Sequence, residues 1–259
     1  MTDILTHTEA GILTITLNRV AKKNSITSVM YAAMSDALEA AQADPLVRVA
    51  VVQGHETIFS AGNDMGDFLN MSAPSATTES PVVRFLHTIS SFPKPLIGAV
   101  CGPAVGVGTT LLLHCDLVYA GDNAAFSLPF VNLGLCPEAG SSYLLPRLMG
   151  HQRAAEALLL GDPFTAETAL EVVLINRIVP PAEVHALAHR QALRLAAKPM
   201  GALVASKRLM KQAQAVPVAV RIEEEIAIFG RMLGEPAAKE ALTAFIENRR
   251  QISRRCSAA

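Results

Sequence analysis

Eighteen consecutive residues from Leu96 to Leu113, LIGAVCGPAVGVGTTLLL, carry no charge. A run of this length and hydropathy has to be shielded from water, by a lipid bilayer or by the rest of the chain. Its interior decides between the two. Gly102-Pro103, Gly106 and Gly108 interrupt any single helix, and Asp116 follows soon after. The segment therefore reads as a buried strand, a glycine-bearing turn and a buried helix, and the expectation is a soluble protein without a membrane span. A strand buried on both faces belongs to a parallel sheet covered by helices, which fixes the class as α/β.

The flanking sequence agrees. ILTHT and ILTITLNR, separated by Glu-Ala-Gly, predict a hairpin. The spacing of Val29, Met30, Ala33, Ala37, Leu38 and Ala41 predicts a helix over Thr27 to Ala43, with Pro45 beyond its end. VRVAVVQG reads as a buried strand, VVRFLHTISSF as a helix, and DLVYAG as a further strand. Between them, Met71 to Pro81 is rich in Ser, Thr and Pro and reads as a mobile loop. After Lys198-Pro199 the alternation stops. GALVASKRLMKQA, VAVRIEEEIAIFGRML and PAAKEALTAFIENRRQI are each helical in pattern, dividing the chain into a core over 1–197 and a helical subdomain over 198–259.

Composition excludes several classes of function. Net charge is −1 and no basic block is interleaved with aromatics, which argues against nucleic-acid binding. The four cysteines show no C-x-x-C pairing, so they read as reduced thiols of a cytoplasmic protein. His185 and His189 stand four apart without a third ligand or an H-E-x-x-H pattern, and no metal site is expected. MTDILTHTEAG lacks the basic and apolar parts of a secretion signal. Charged residues make up only 17% of the chain, which favours assembly into a homo-oligomer, since buried subunit contacts are poor in charge.

Two turns and one acid hold the candidate chemistry. IFSAGNDM (Ile58 to Met65) and CGPAVGVGTT (Cys101 to Thr110) each follow a strand and lead toward a helix. At such junctions free backbone N–H groups can bind a negative oxygen, and small residues let a ligand approach the main chain. Neither turn is a phosphate loop or a dinucleotide fingerprint. Downstream, LGLCPEAGSSYLLPRLMG sets Glu138 among apolar and small residues. Lost hydration there raises a carboxyl pKa toward that of a proton-transferring base; the competing role is a solvated loop or helix-start charge.

In this order the motifs resemble the crotonase family, the enoyl-CoA hydratase/isomerase superfamily. The resemblance runs from ITLNRVAKKNSIT through FSAGNDM and GPAVGVGTTLLLHCD to the tail AFIENRR. It implies a spiral of ββα units with C-terminal helices that build trimers or dimers of trimers. It also implies acyl-CoA thioester substrates, with no cofactor beyond the CoA of the substrate itself. Carried over by residue, it implies an oxyanion hole from the N–H groups of Asn63 and Val107. Hydratases of the family use two glutamates, and those positions hold Thr110 and Phe130 here; Glu138 instead matches the single glutamate of Δ3,Δ2-enoyl-CoA isomerases. Phe130 then excludes water. Ala61, Asp64 and Met65 match the adenine and pantetheine path. Lys22 and Lys23 match a basic loop near the CoA phosphates, or form a solvated basic turn. Phe245 matches an aromatic that approaches adenine from a neighbouring subunit, or packs in the core. The expected activity is Δ3,Δ2-enoyl-CoA isomerisation in fatty-acid oxidation, with an enoyl-CoA hydratase or a non-catalytic acyl-CoA-binding module as alternatives.

Overall fold

The computed structural model describes residues 2–70, 80–247 and 249; of residues 68–70 and 245 it describes the backbone alone. Strands β1 (Ile4–Glu9) and β2 (Ile12–Leu17) form the expected antiparallel hairpin, Ile4 opposite Leu17 and Glu9 opposite Ile12. Its two connecting residues, Ala10 and Gly11, both take positive φ, as a two-residue turn matched to strand twist requires. Helix α1 (Ser28–Ala43) starts where the Thr27 side chain accepts the Met30 N–H at 3.3 Å. It buries Met30, Tyr31, Met34 and Leu38 along one face.

Next come β3 (Val49–Gln53), the short α2 (Met65–Asn70) and α3 (Pro81–Ser91), which packs on α1. Of the loop expected from Met71 to Pro81, residues 71–79 lie outside the described residues, and Pro81 already opens α3. The uncharged run then resolves into β4 (Leu96–Val100), β5 (Pro103–Val105) and α4 (Val107–Thr110), which continues as a 3-10 turn over Leu111–His114. Strands β6 (Leu117–Gly121) and β7 (Ala125–Ser127) precede α5 (Ser141–Met149). After α6 (His151–Ala155) and a π turn at Glu156–Leu160 come β8 (Phe164–Thr165), α7 (Ala166–Glu171) and β9 (Arg177–Val179). The chain closes with α8 (Pro181–Ala196), α9 (Met200–Leu233) and α10 (Pro236–Ile246).

The main sheet has the order β1-β2-β3-β4-β6-β9 and is parallel from β2 onward. Strand alternation divides its side chains between two covers. Val49, Val51, Ile97 and Ala99 meet α8 through Val184, Leu187 and Ala188, while Ala50, Val52, Leu96 and Val100 face the larger core with α1 and α3. Every residue of β4 is therefore buried, which is why that stretch has no polar alternation. A second sheet, β5-β7-β8, receives a short strand after each turn of the main sheet. β4 leads to β5 and α4, and β6 leads to β7. After β3, Ser60 bridges to Ala104 before α2 begins. This repetition is the ββα spiral.

One expectation is corrected. The first two C-terminal segments are a single helix, α9, which runs through Pro217. Ala213 and Pro217 are both exposed, so the hydrogen bond that proline removes falls on the solvated side. Both halves of α9 are held inward. Lys207 is buried and donates to Asp116 Oδ2 and Lys94 O, each at 2.7 Å, while Val218 and Ile222 join the main core. Among the described residues no helix is long and apolar enough to cross a membrane.

Gly62 sets how closely the two glycine turns approach. Its φ is +85°, and a Cβ there would lie 2.8 Å from Val105 O. Gly62→Ala combines left-handed strain with a backbone clash, and it should destabilise the protein by about 2–4 kcal/mol. Urea unfolding measures this; an unchanged midpoint would show that the turns part without penalty.

Candidate active site

The two turns meet through main chain. Val105 N–H donates to Ser60 O at 2.9 Å, and Phe59 and Ser60 donate to Pro103 O at 3.2 and 3.0 Å. Asn24, wholly buried, braces the first turn from behind, with Nδ2 donating to Ile58 O at 3.2 Å and Phe59 O at 3.1 Å. Around Asn63 the neighbouring backbone is committed: Ile26 N–H donates to Gly62 O, and Asp64 N–H to Ile26 O. The N–H groups of Asn63 and Val107 have no hydrogen-bond partner among the described residues. Val107 opens α4 after Gly106, where amides are free by construction. Both residues line one narrow apolar pocket of about 40 Å³, together with Ala61, Met65, Phe130 and Phe229.

Glu138 is 6% exposed and accepts the Thr110 hydroxyl at 2.8 Å. Burial pushes its pKa up to about 7, outweighing the Thr110 bond, and the nearby Glu225 carboxylate adds to the rise. Its backbone is fixed on several sides. Ala139 and Gly140 take φ of 59° and 72°, and the Ser141 N–H and hydroxyl donate to Glu138 O at 3.0 and 2.6 Å. His114 Nε2 lies 2.8 Å from Ala139 O, which assigns the proton to that nitrogen. Burial lowers the pKa of His114 to about 4, so the imidazole stays neutral.

Thr110 and Phe130, the positions of the two hydratase acids, are both buried; Phe130 walls the pocket and Thr110 is hydrogen-bonded to Glu138. Asp64 does not line the pocket. Burial opposes its charge, but Arg19 at 2.7 Å, the Asp67 N–H at 3.1 Å and the Ser25 hydroxyl at 3.1 Å hold its pKa below the usual value. Its carboxylate therefore ties α2 to the loop after β2. Lys22 and Lys23 are exposed, and the Lys23 carbonyl accepts the Ala61 N–H at 2.9 Å, so their loop adjoins the pocket rim. Phe245 belongs to α10, and its side chain lies outside the described residues.

Sequence reasoning missed Tyr31, His114, Glu225 and Phe229. The Tyr31 hydroxyl donates to Asn63 Oδ1, and burial, then Glu138, then Asp67 raise its pKa. Tyr31 sits on the buried stripe of α1, where an aromatic reads as plain core. Glu225 ends a run of three glutamates that reads as a solvated helix face. Adjacent helical residues point about 100° apart, however, so such a run can also turn one member inward. A roomier hollow of about 270 Å³ lies beside Arg153 and Phe164, but its acids, Glu156 and Asp162, are exposed.

The Glu138 shift predicts a stability signature. Unfolded, this carboxyl ionises near 4.5; folded, it keeps its proton to about pH 7. The folded state thus binds the extra proton between those values, and its stability falls as pH rises through that window. Glu138→Gln removes the buried charge and retains an acceptor for Thr110. At pH 8 it should exceed wild type in stability by on the order of 3 kcal/mol, with little difference near pH 4.5. Urea titrations at the two pH values check this; a gap that does not widen with pH would refute it.

Comparison with known proteins bears on the whole assembly. A family model described as "Enoyl-CoA hydratase/isomerase" matches residues 7–253. Rat enoyl-CoA delta isomerase 2 is 38% identical over 237 residues, which cover 90% of this chain and 60% of that protein, so the chain spans less than two thirds of that relative. The 2,3-dehydroadipyl-CoA hydratase of Escherichia coli (strain K12) is 31% identical over 96% of this chain and 97% of its own. Among solved structures, OdaA of Pseudomonas aeruginosa superposes with a TM-score of 0.91 at 47% identity, covering 95% of this chain and 99% of that one. Since the family match begins inside β1 and runs past α10, the chain belongs to the enoyl-CoA hydratase/isomerase, or crotonase, family.

Proposed function

We propose that the protein is a Δ3,Δ2-enoyl-CoA isomerase. The observation that carries this reading is a buried carboxyl, Glu138, with a pKa near 7 and a hydrogen bond from Thr110, while Thr110 and Phe130 occupy the positions where hydratases of the family hold their acids. In the proposed reaction the thioester oxygen lies against the N–H groups of Asn63 and Val107. Glu138 takes a proton from C2, the electron pair delocalises over C2 to C4 as a dienolate, and the two amides hold the oxygen as charge develops. Glu138 then returns the proton at C4, leaving the double bond between C2 and C3. One base near neutrality serves both steps, because it binds and releases a proton with similar ease. Loss of one such amide donor typically costs about 3 kcal/mol of transition-state stabilisation.

Phe130 supports migration over hydration, since an apolar wall holds no water for attack on C3. Hydration is the second reading, supported by the similarity to the E. coli hydratase. It needs Glu138 both to activate water and to deliver a proton to carbon. For the CoA portion, the proposed thioester arm runs past Ala61 and Met65, which line the pocket, and the exposed Lys22 and Lys23 would meet the phosphates.

The test is turnover of 3-enoyl-CoA to 2-enoyl-CoA beside hydration of crotonyl-CoA. Wild type should isomerise faster than it hydrates, and kcat/KM should rise with pH through an inflection near 7. Glu138→Gln should lose about 10²–10⁴ in kcat with little change in acyl-CoA affinity. Near-wild-type isomerisation by this variant, or faster hydration by wild type, would sink the single-carboxylate mechanism.

Assembly as a homotrimer or dimer of trimers is part of the same proposal. Leu209, Met210, Val216 and Val220 expose an apolar face on α9 that a partner subunit would cover. Light scattering at micromolar concentration should give a multiple of 27.5 kDa, and a monomer would remove this part.

A further inference from the structure

The proposed reaction uses one carboxylate, yet a second lies buried beside it. Glu225, on α9, is 4% exposed. Its Oε2 accepts the Gly140 N–H at 2.6 Å and its Oε1 accepts the Ser142 N–H at 3.0 Å. These amides open α5, whose N-cap is Gly140, a residue with no side chain to cap them. The cap is therefore supplied by a distant helix. Arg221, one turn earlier on α9, donates through Nη1 to Ser142 Oγ at 3.2 Å, and Phe229, one turn later, walls the pocket. Val218 and Ile222 would stand 3.4 Å from a Cβ at Gly140, so the contact between helix and turn is continuous. Spaced by four, Arg221, Glu225 and Phe229 form one stripe facing the site.

We propose that Glu225 is a positioning residue for Glu138: clamping Gly140 and Ser142 from α9, it fixes the turn that carries Glu138 and holds a negative charge beside that carboxyl. The assignment rests on the reading of Glu138 as the base. The groups facing the pair come from every neighbouring element. They are Tyr31 from α1, Thr110 from α4, His114 from the following 3-10 turn, Cys136 from the loop before Glu138, and Arg221 from α9. Lys211 donates to His114 O from further along α9. Burial keeps Tyr31, His114 and Cys136 neutral near pH 7. The acid that faces Glu138 through this contact is Glu225. Burial raises the Glu225 pKa, while two N–H donors and Arg221 favour its ionised form.

The experiment titrates Glu138 itself, as the infrared carboxyl signal that differs between a protein and its Glu138→Gln counterpart, with no substrate present. The wild-type midpoint should fall near 7. Glu225→Gln should move the midpoint to lower pH and reduce plateau kcat for 3-enoyl-CoA by about 10-fold, with KM little changed. Glu225→Asp keeps the charge but shortens the reach; it should hold the midpoint near wild type and still lose turnover. A purely structural role would lower the melting temperature yet leave the midpoint of Glu225→Gln at the wild-type value, and that result overturns the proposal. Should Glu225→Gln fail to fold, wild-type turnover by Glu225→Asp overturns it equally. A shifted midpoint in a protein that never isomerises 3-enoyl-CoA would remove the functional reading and leave this assignment intact.

Discussion

Val105 donates its N–H to Ser60 O, and Phe59 and Ser60 return the bond to Pro103 O; through this strip, main chain from two distant turns becomes one ladder. The frame lets the amides of Asn63 and Val107 stay unpaired among the described residues while Gly62, Asp64 and Gly106 beside them donate to Ser60 Oγ, Ile26 O and Ser127 O. An unpaired amide in an apolar pocket is unfavourable, and left to itself the backbone would rotate to satisfy it. Here rotation is blocked. A Cβ at Gly62 would lie 2.8 Å from Val105 O, Asn24 spans Ile58 and Phe59, and Ile26 takes the carbonyl on one side of Asn63 and supplies the acceptor on the other. Preorganised donors of this kind need no reorganisation when charge appears in front of them.

Glu138 is held by the same logic with opposite electrostatics. The turns offer positive ends of N–H dipoles, whereas the Glu138 site withholds compensation: one hydroxyl, an apolar surround and a second acid. A better-solvated carboxylate would be more stable and less basic. The energetic strain sits on a turn with two consecutive left-handed residues, Ala139 and Gly140, and the fold secures that turn with His114, Ser141 and Glu225. Such concentration of unfavourable local terms, offset by dense bonding around them, is typical of functional sites.

Much of this was legible in the sequence, and the limits have physical causes. The hairpin, α1, and strands β3, β4 and β6 follow from periodicity and local chemistry alone. Glu138 stood out because an acid among apolar residues is anomalous. Strands β5, β7 and β8 span two or three residues each, too few for any alternation, and exist only because the spiral brings partners alongside. The pattern divided α9 into two segments, but the helix runs through Pro217 between them, with Val218 and Ile222 packed into the core. The pairing of the Asp64 carboxylate with Arg19, 45 residues away in sequence, has no local signal and appears only in the folded chain. Tyr31 and Glu225 were hidden for a related reason: each has an ordinary local role on its helix, and only tertiary packing shows the other.

The unbroken α9 has a consequence for how the protein can change. At 34 residues it is a rod of about 50 Å, with Lys207 seated under β4, Leu209 to Val220 presenting an apolar exterior, and Glu225 gripping the acid-bearing turn. A rod transmits tilt along its length. A substitution on its outer surface is therefore felt at the turn that carries Glu138, because both lie along the same rod.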